Sequence, residues 1–141
     1  MEDNQKYTMN IEMPIRYDDQ FLEDILVTAL EGGSNYWIDK IVIQPKDPNQ
    51  EKPAGMPKSI WMFEIIKYNG YLLIYNGDDI KLTRTLRMRD LQNGIEKYIQ
   101  CYKNDVLNIF CDGLTLDAGQ FDANMADCVL QYAVFNELIY G

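Results

Sequence analysis

Ile60-Trp61-Met62-Phe63-Glu64-Ile65-Ile66-Lys67-Tyr68, then Asn69-Gly70, then Tyr71-Leu72-Leu73-Ile74-Tyr75, is the stretch that decides the fold. Two apolar runs rich in aromatic and β-branched residues flank an Asn-Gly pair, and both residues of that pair tolerate the positive φ that a tight hairpin turn demands. The expectation is a β-hairpin with strands over 60–68 and 71–75. A second Asn-Gly at 76–77, followed by Asp78-Asp79, leads into Ile80–Leu86, which reads as the third strand of a meander.

Upstream, Tyr36 to Gln44 is again aromatic and β-branched and reads as a strand. Residues 45–59 separate it from the hairpin and hold four of the five prolines, so this stretch is a proline-rich loop, longer than the usual connection. Met9, Ile11, Met13 and Ile15 alternate within 7–17 as in a strand with one buried face, and Pro14 suits an edge. Asp18 then caps a helix whose apolar positions are Phe21, Leu22, Ile25, Leu26, Ala29 and Leu30, and Gly32-Gly33 end it.

Downstream, residues 88–103 place Leu91, Ile95, Tyr98, Ile99 and Tyr102 on one helical face, although Gly94 lies inside. Residues 122–139 form the longest helix candidate, capped by Asp122, with Met125, Val129, Tyr132, Ala133 and Leu138 on its apolar face. Between these helices, Val106 to Phe110 reads as a short strand or a packed loop. The order of elements predicts an α+β fold in a single domain over 1–141, with an antiparallel sheet of four to five strands and about three helices.

With 47% hydrophobic residues the 141-residue chain can bury a sizeable core, which excludes intrinsic disorder. Histidine is absent, so Ser-His-Asp and Cys-His catalysis and His-ligated zinc are excluded. The three cysteines, Cys101, Cys111 and Cys128, form no C-x-x-C pair and read as reduced, buried thiols in a cytoplasmic setting. No apolar run is long enough for a membrane span, and the acidic Met1–Gln5 is unlike a signal peptide. With 13 Lys+Arg against 22 Asp+Glu, the net charge of −9 opposes direct binding to nucleic acid or to an anionic membrane.

Three groups of residues bear on function. Tyr36 and Trp37 follow a Gly-Gly helix end and offer a stacking face for a base or sugar ring; as pure structure they are a helix cap and core aromatics at a strand start. Lys81, Arg84, Arg87 and Arg89 are the one basic cluster, and arginine forks match phosphate or carboxylate, including the chain's own excess carboxylates. Strand alternation puts Arg84 on the face opposite Arg87. Asp112, Asp117, Asp122 and Asp127 recur every five residues without a calcium-loop pattern, so no metal site is expected; Asp122 reads as a cap and Asp127 as a helix-surface or inter-element hydrogen-bonding group.

Two further stretches carry a resemblance. Val27-Thr28-Ala29-Leu30-Glu31-Gly32-Gly33-Ser34-Asn35-Tyr36-Trp37 and the terminal Asp122-Ala123, Ala126-Asp127, Gln131-Tyr132, Phe135 and Glu137-Leu138-Ile139-Tyr140-Gly141 resemble a loosely defined group of small uncharacterised proteins of phages, prophages and other bacterial mobile elements. Asn136 stands where that group usually has Gly. The resemblance covers about a fifth of the chain and implies a setting, not a reaction; by analogy, small acidic phage proteins often block host defences.

The expectation from sequence is therefore a non-enzymatic, cofactor-free binding protein, of counter-defence type. Tyr36, Trp37, Arg84, Arg87 and Arg89 hold a nucleotide-like ligand. The alternative is an acidic inhibitor of a host defence protein, acting through charge or nucleic-acid mimicry. Ten tyrosines and two tryptophans exceed what one small core needs, which favours a homo-oligomer.

Overall fold

The computed structural model describes residues 5–9, 14–76, 83–107, 116 and 118–141. Among these residues the fold is α+β, with four α-helices and a three-stranded antiparallel sheet in the order β1-β2-β3. The elements are α1 (Asp19–Thr28), β1 (Ile38–Gln44), α2 (Lys58–Lys67), β2 (Tyr71–Asn76), β3 (Arg84–Leu86), α3 (Met88–Leu107) and α4 (Ala123–Phe135). The sheet is smaller than the four to five strands expected.

The main correction falls on the deciding stretch. Ile60–Lys67 belongs to helix α2, and the partner of β2 is the distant β1, paired from Gln44↔Tyr71 to Ile38↔Asn76. Asn69 does adopt the positive φ expected of it, at 70°, but in a helix-ending turn and not a hairpin. Gly70 N–H donates to Ile65 O at 2.8 Å across that turn, the six-to-one bond that closes a helix C-terminus on a left-handed residue. A Cβ on Gly70 would lie 2.6 Å from Ile65 Cγ2 and 2.7 Å from Gln44 O, so glycine alone fits where α2 turns back under β1.

Helix α1 begins as expected, with the Asp18 carboxylate accepting from Phe21 N–H at 2.9 Å. It runs into a π-helical turn, Ala29–Gly33, closed by Ser34 N–H donating to Ala29 O at 2.8 Å. At the far end of the chain the Asp122 carboxylate accepts from Met125 N–H at 2.8 Å and starts α4. That helix stops at Phe135, short of 139, because Asn136 turns left-handed at φ 61°. Helix α3 continues past 103 to Leu107, with a break in helical geometry at Tyr102, so Val106 and Leu107 are helical.

Other expectations fall partly outside the described residues: 10–13 of the first strand, 77–79 of the second turn, 80–82 of the third strand with Lys81, 108–110 of the short strand or loop, Cys111, and Asp112 and Asp117 of the acidic series. Within 7–17, Tyr7 and Met9 are exposed, and Arg16 O accepts a backbone bond from Leu116 N–H at 2.9 Å. The loop spans 45–57, its last two expected residues opening α2. Cys101 is exposed and Cys128 half-buried, both as free thiols, so the expected burial of both does not hold.

Strand β2 alternates half-buried Tyr71, Leu73 and Tyr75 with buried Leu72, Ile74 and Asn76, which turns one face onto the helices. The core there joins Phe21, Leu22, Ile25 and Leu26 of α1, Met62, Phe63 and Ile66 of α2, and Leu91 and Ile95 of α3 to Val129 and Leu130 of α4. Helices α3 and α4 form the most intimate pair. No helix among the described residues is long and apolar enough to cross a membrane.

Candidate functional site

The π turn, the start of β1 and the C-terminal part of the chain meet at one buried carboxylate. Asp127 on α4 is only 6% exposed. One of its oxygens, Oδ1, accepts from Ser34 Oγ and Trp37 Nε1, each at 2.7 Å. The other, Oδ2, accepts from the Tyr36 hydroxyl at 2.6 Å and from Gln131 Nε2 at 3.0 Å. Four neutral donors thus satisfy an acceptor-only group, as burial of a carboxylate without a cation requires. The approach is close enough that a Cβ on Gly33 would lie 2.4 Å from Ala123 O, which accounts for glycine at the end of the π turn.

Gln131, one helical turn on, holds the chain that follows α4. Its Oε1 accepts from Ile139 N–H at 2.9 Å and Tyr140 N–H at 2.8 Å, while Nε2 also donates to Tyr140 O at 3.2 Å. The Tyr140 ring then lies on Trp37, with centroids 5.7 Å apart and planes within 8°. Phe135 closes the cluster at 5.3 Å from Trp37 and 6.0 Å from Tyr140. The two stretches behind the sequence resemblance are therefore halves of one polar and aromatic node.

The five candidate residues divide into two groups. Trp37 is 4% exposed, and one face of its indole is covered by Tyr140. Tyr36 is 59% exposed but its hydroxyl is tied to Asp127. Arg84 belongs with them: it lies opposite Ile74 on the core face of β3, with its guanidinium 5.8 Å over the Phe135 ring.

Arg87 and Arg89 sit elsewhere, toward the Tyr71 end of β2. The Arg87 guanidinium is 4.4 Å from the centroid of the Tyr71 ring, and both arginines border a hollow of about 390 Å³ with Asn69 and Gln92. The only ion pair among the described residues joins Lys67 to Asp19 at 3.7 Å. No described carboxylate neutralises Arg84, Arg87 or Arg89, despite 22 acidic residues in the chain.

Sequence reasoning missed Asn76 and Gln131 as parts of the site. Asn76 was visible only as half of a turn signal, and Gln131 only within the resemblance. Asn76 is 1% exposed, and its Nδ2 donates to the Tyr140 hydroxyl at 2.5 Å.

The Tyr36 hydroxyl is pushed up from 10.0 to about 12, first by desolvation, then by its hydrogen bond to Asp127 and that carboxylate's charge. The raised value means that the folded state favours the neutral phenol. Its contribution to stability is therefore complete below pH 10.0 and is lost as pH rises toward about 12. Denaturant melts of the protein and of Tyr36→Phe across that window are expected to show a constant difference below pH 10.0 that shrinks above it. A difference independent of pH throughout would contradict this coupling.

Against protein-family models, curated proteins and solved structures the chain has no match, so its functional reading stands on this geometry.

Proposed function

We propose that the protein is a non-enzymatic binding protein that holds a nucleotide-like ligand at the aromatic end of its sheet. The observation that carries this reading is Arg84, a guanidinium without a described carboxylate partner, set over Phe135 in the cluster that contains Trp37. A flat ring with an attached phosphate matches an aromatic face beside an arginine fork. In the phage or mobile-element setting implied by the resemblance, such binding sequesters a nucleotide signal of host defence in the host cytoplasm.

Calorimetric titration with cyclic and linear nucleotides tests the reading. Binding is expected, and Arg84→Ala is expected to weaken it about tenfold, the scale of one charge-assisted contact to phosphate. Absence of binding across the panel would overturn it.

A second reading, an acidic inhibitor of a host defence protein that also self-associates, is favoured by Tyr36, Leu138 and Ile139, which stay 59%, 38% and 50% exposed. Salt separates the two, because an interface driven by many charges weakens steeply with ionic strength and a stacked ligand much less.

A further inference from the structure

We infer that Tyr140 is an intramolecular stand-in for a nucleobase, and that an adenine nucleotide enters by displacing the strap formed by residues 136–141. This rests on the reading that the ligand is nucleotide-like, and it assigns the place of the base.

The buried Asn76 carboxamide carries the inference. Its Nδ2 meets the Tyr140 hydroxyl, while its Oδ1 is buried with no hydrogen-bond partner. Exchanging the two ends of the amide does not help, since a single hydroxyl serves one of them and leaves the other bare. A buried polar atom without a partner is a rare and costly feature, and it points to a group that the site is shaped to receive. A carboxamide is satisfied at both ends by an edge that presents a donor beside an acceptor. Adenine does so with its N6 amino group and N7, the pairing that asparagine makes with that base.

The surroundings fit the rest of the ligand. Tyr140 lies on Trp37 nearly parallel, 5.7 Å between centroids, which is the arrangement a stacked base would adopt. Ile38 pairs with Asn76 and Ile74 with Arg84, so the indole, the carboxamide and the guanidinium gather at one end of the sheet. Asn76 and Arg84 share the core face of β2 and β3 as diagonal neighbours, a spacing that long side chains reach across. Arg84 is then the partner for a phosphate.

The strap is built to leave. It begins at the left-handed Asn136, whose N–H still closes α4 on Tyr132 O, its residues 136–139 are exposed, and beyond Asn136 it is held by the Tyr140 side chain and by the Gln131 carboxamide. A segment that is exposed up to a single aromatic side chain belongs to the part of a fold that opens first. The Trp37 indole stays in place when it does, because its Nε1 is held by Asp127.

The test titrates AMP into the full chain, into Tyr140→Phe and into Tyr140→Ala, with inorganic phosphate as control and a cooperative melt to verify folding of each variant. A strap docked about nine tenths of the time lowers apparent affinity about tenfold, so Tyr140→Ala is expected to bind AMP about tenfold more tightly. Tyr140→Phe keeps the ring but loses one hydrogen bond, and a gain of about threefold is expected; this variant decides the matter if Tyr140→Ala does not fold. Adding Asn76→Ala to Tyr140→Phe is expected to abolish the gain. AMP binding that is equal in all three proteins would overturn the strap while leaving the nucleotide reading intact. Silence of all three toward AMP and the nucleotide panel would overturn both, and phosphate binding as tight as AMP binding would overturn the base slot.

Discussion

Asp127→Ala is expected to lower the stability of the protein by about 3 kcal/mol or more, because each buried donor left unpaired costs about 1–3 kcal/mol. Trp37 Nε1 and Ser34 Oγ lose their acceptor at once beside a residue that is 6% exposed, and Gln131 Nε2 is left with the longer bond to Tyr140 O. Against a total stability of about 5–15 kcal/mol for a domain, the loss is a large fraction. The isosteric Asp127→Asn does not rescue it. Its amide must turn an NH₂ group toward one pair of donors, and neither Trp37 Nε1–H nor Gln131 Nε2–H can accept. Urea melts of both variants against the parent check this, and a loss below about 1 kcal/mol would mean that water replaces the carboxylate. Because the same node fixes Trp37 and the strap, the variants are also expected to lose the well-ordered aromatic signal in near-ultraviolet circular dichroism.

Gly94→Ala is expected to destabilise by about 2 kcal/mol although helix propensity alone favours alanine by about 1 kcal/mol. The decision between these effects comes from the neighbour. A Cβ at Gly94 would lie 2.6 Å from Val129 O and 2.9 Å from Ala133 N, both backbone atoms of α4 that cannot turn aside, and 2.8 Å from Ala133 Cβ. Helices α3 and α4 must move apart, which loosens the contact of Leu91 and Ile95 with Val129 and Leu130 in the core. Gly32→Ala is the control, since nothing lies within 4 Å of a Cβ there and its melt is expected to stay close to that of the parent. Equal melts for both glycine variants would contradict the close packing of α3 on α4.

The difference between these two glycines is not legible in the sequence, and it shows where reading from residues stops. Gly94 looks like a weak point in a helix until α4 is laid against it. Asp127 looks like one of a periodic acidic series until Ser34, Trp37 and Gln131 converge on it. The same holds for Ile60–Ile66, whose apolar run, broken only by Glu64, lacks a clear period and suits a buried strand or a buried helix equally. Asn69 has the backbone angle that the Asn-Gly pair predicts but serves a different purpose, because a left-handed residue ends helices as well as turning hairpins.

Of the candidate site, sequence indicated residue types but not partners. Tyr36, Trp37 and Arg84 share one end of the sheet, whereas Arg87 and Arg89 lie beside a separate hollow. The antiparallel register produced that division, since β3 runs from the Asn76 end of β2 toward Tyr71 and carries neighbouring arginines to different ends.

The sequence by itself determined the α+β class, the capped starts of α1 and α4, strand β1 and the exclusion of histidine chemistry, because these follow from local periodicity, capping and composition. Only the tertiary structure decided that 58–67 is a helix, that β2 pairs with β1, and that Asp127, Gln131, Asn76 and Tyr140 meet around Trp37. Hydrogen bonds such as those from Ser34, Tyr36 and Trp37 to Asp127 join residues about ninety positions apart. Partners at that distance are selected by packing, and no local pattern encodes them.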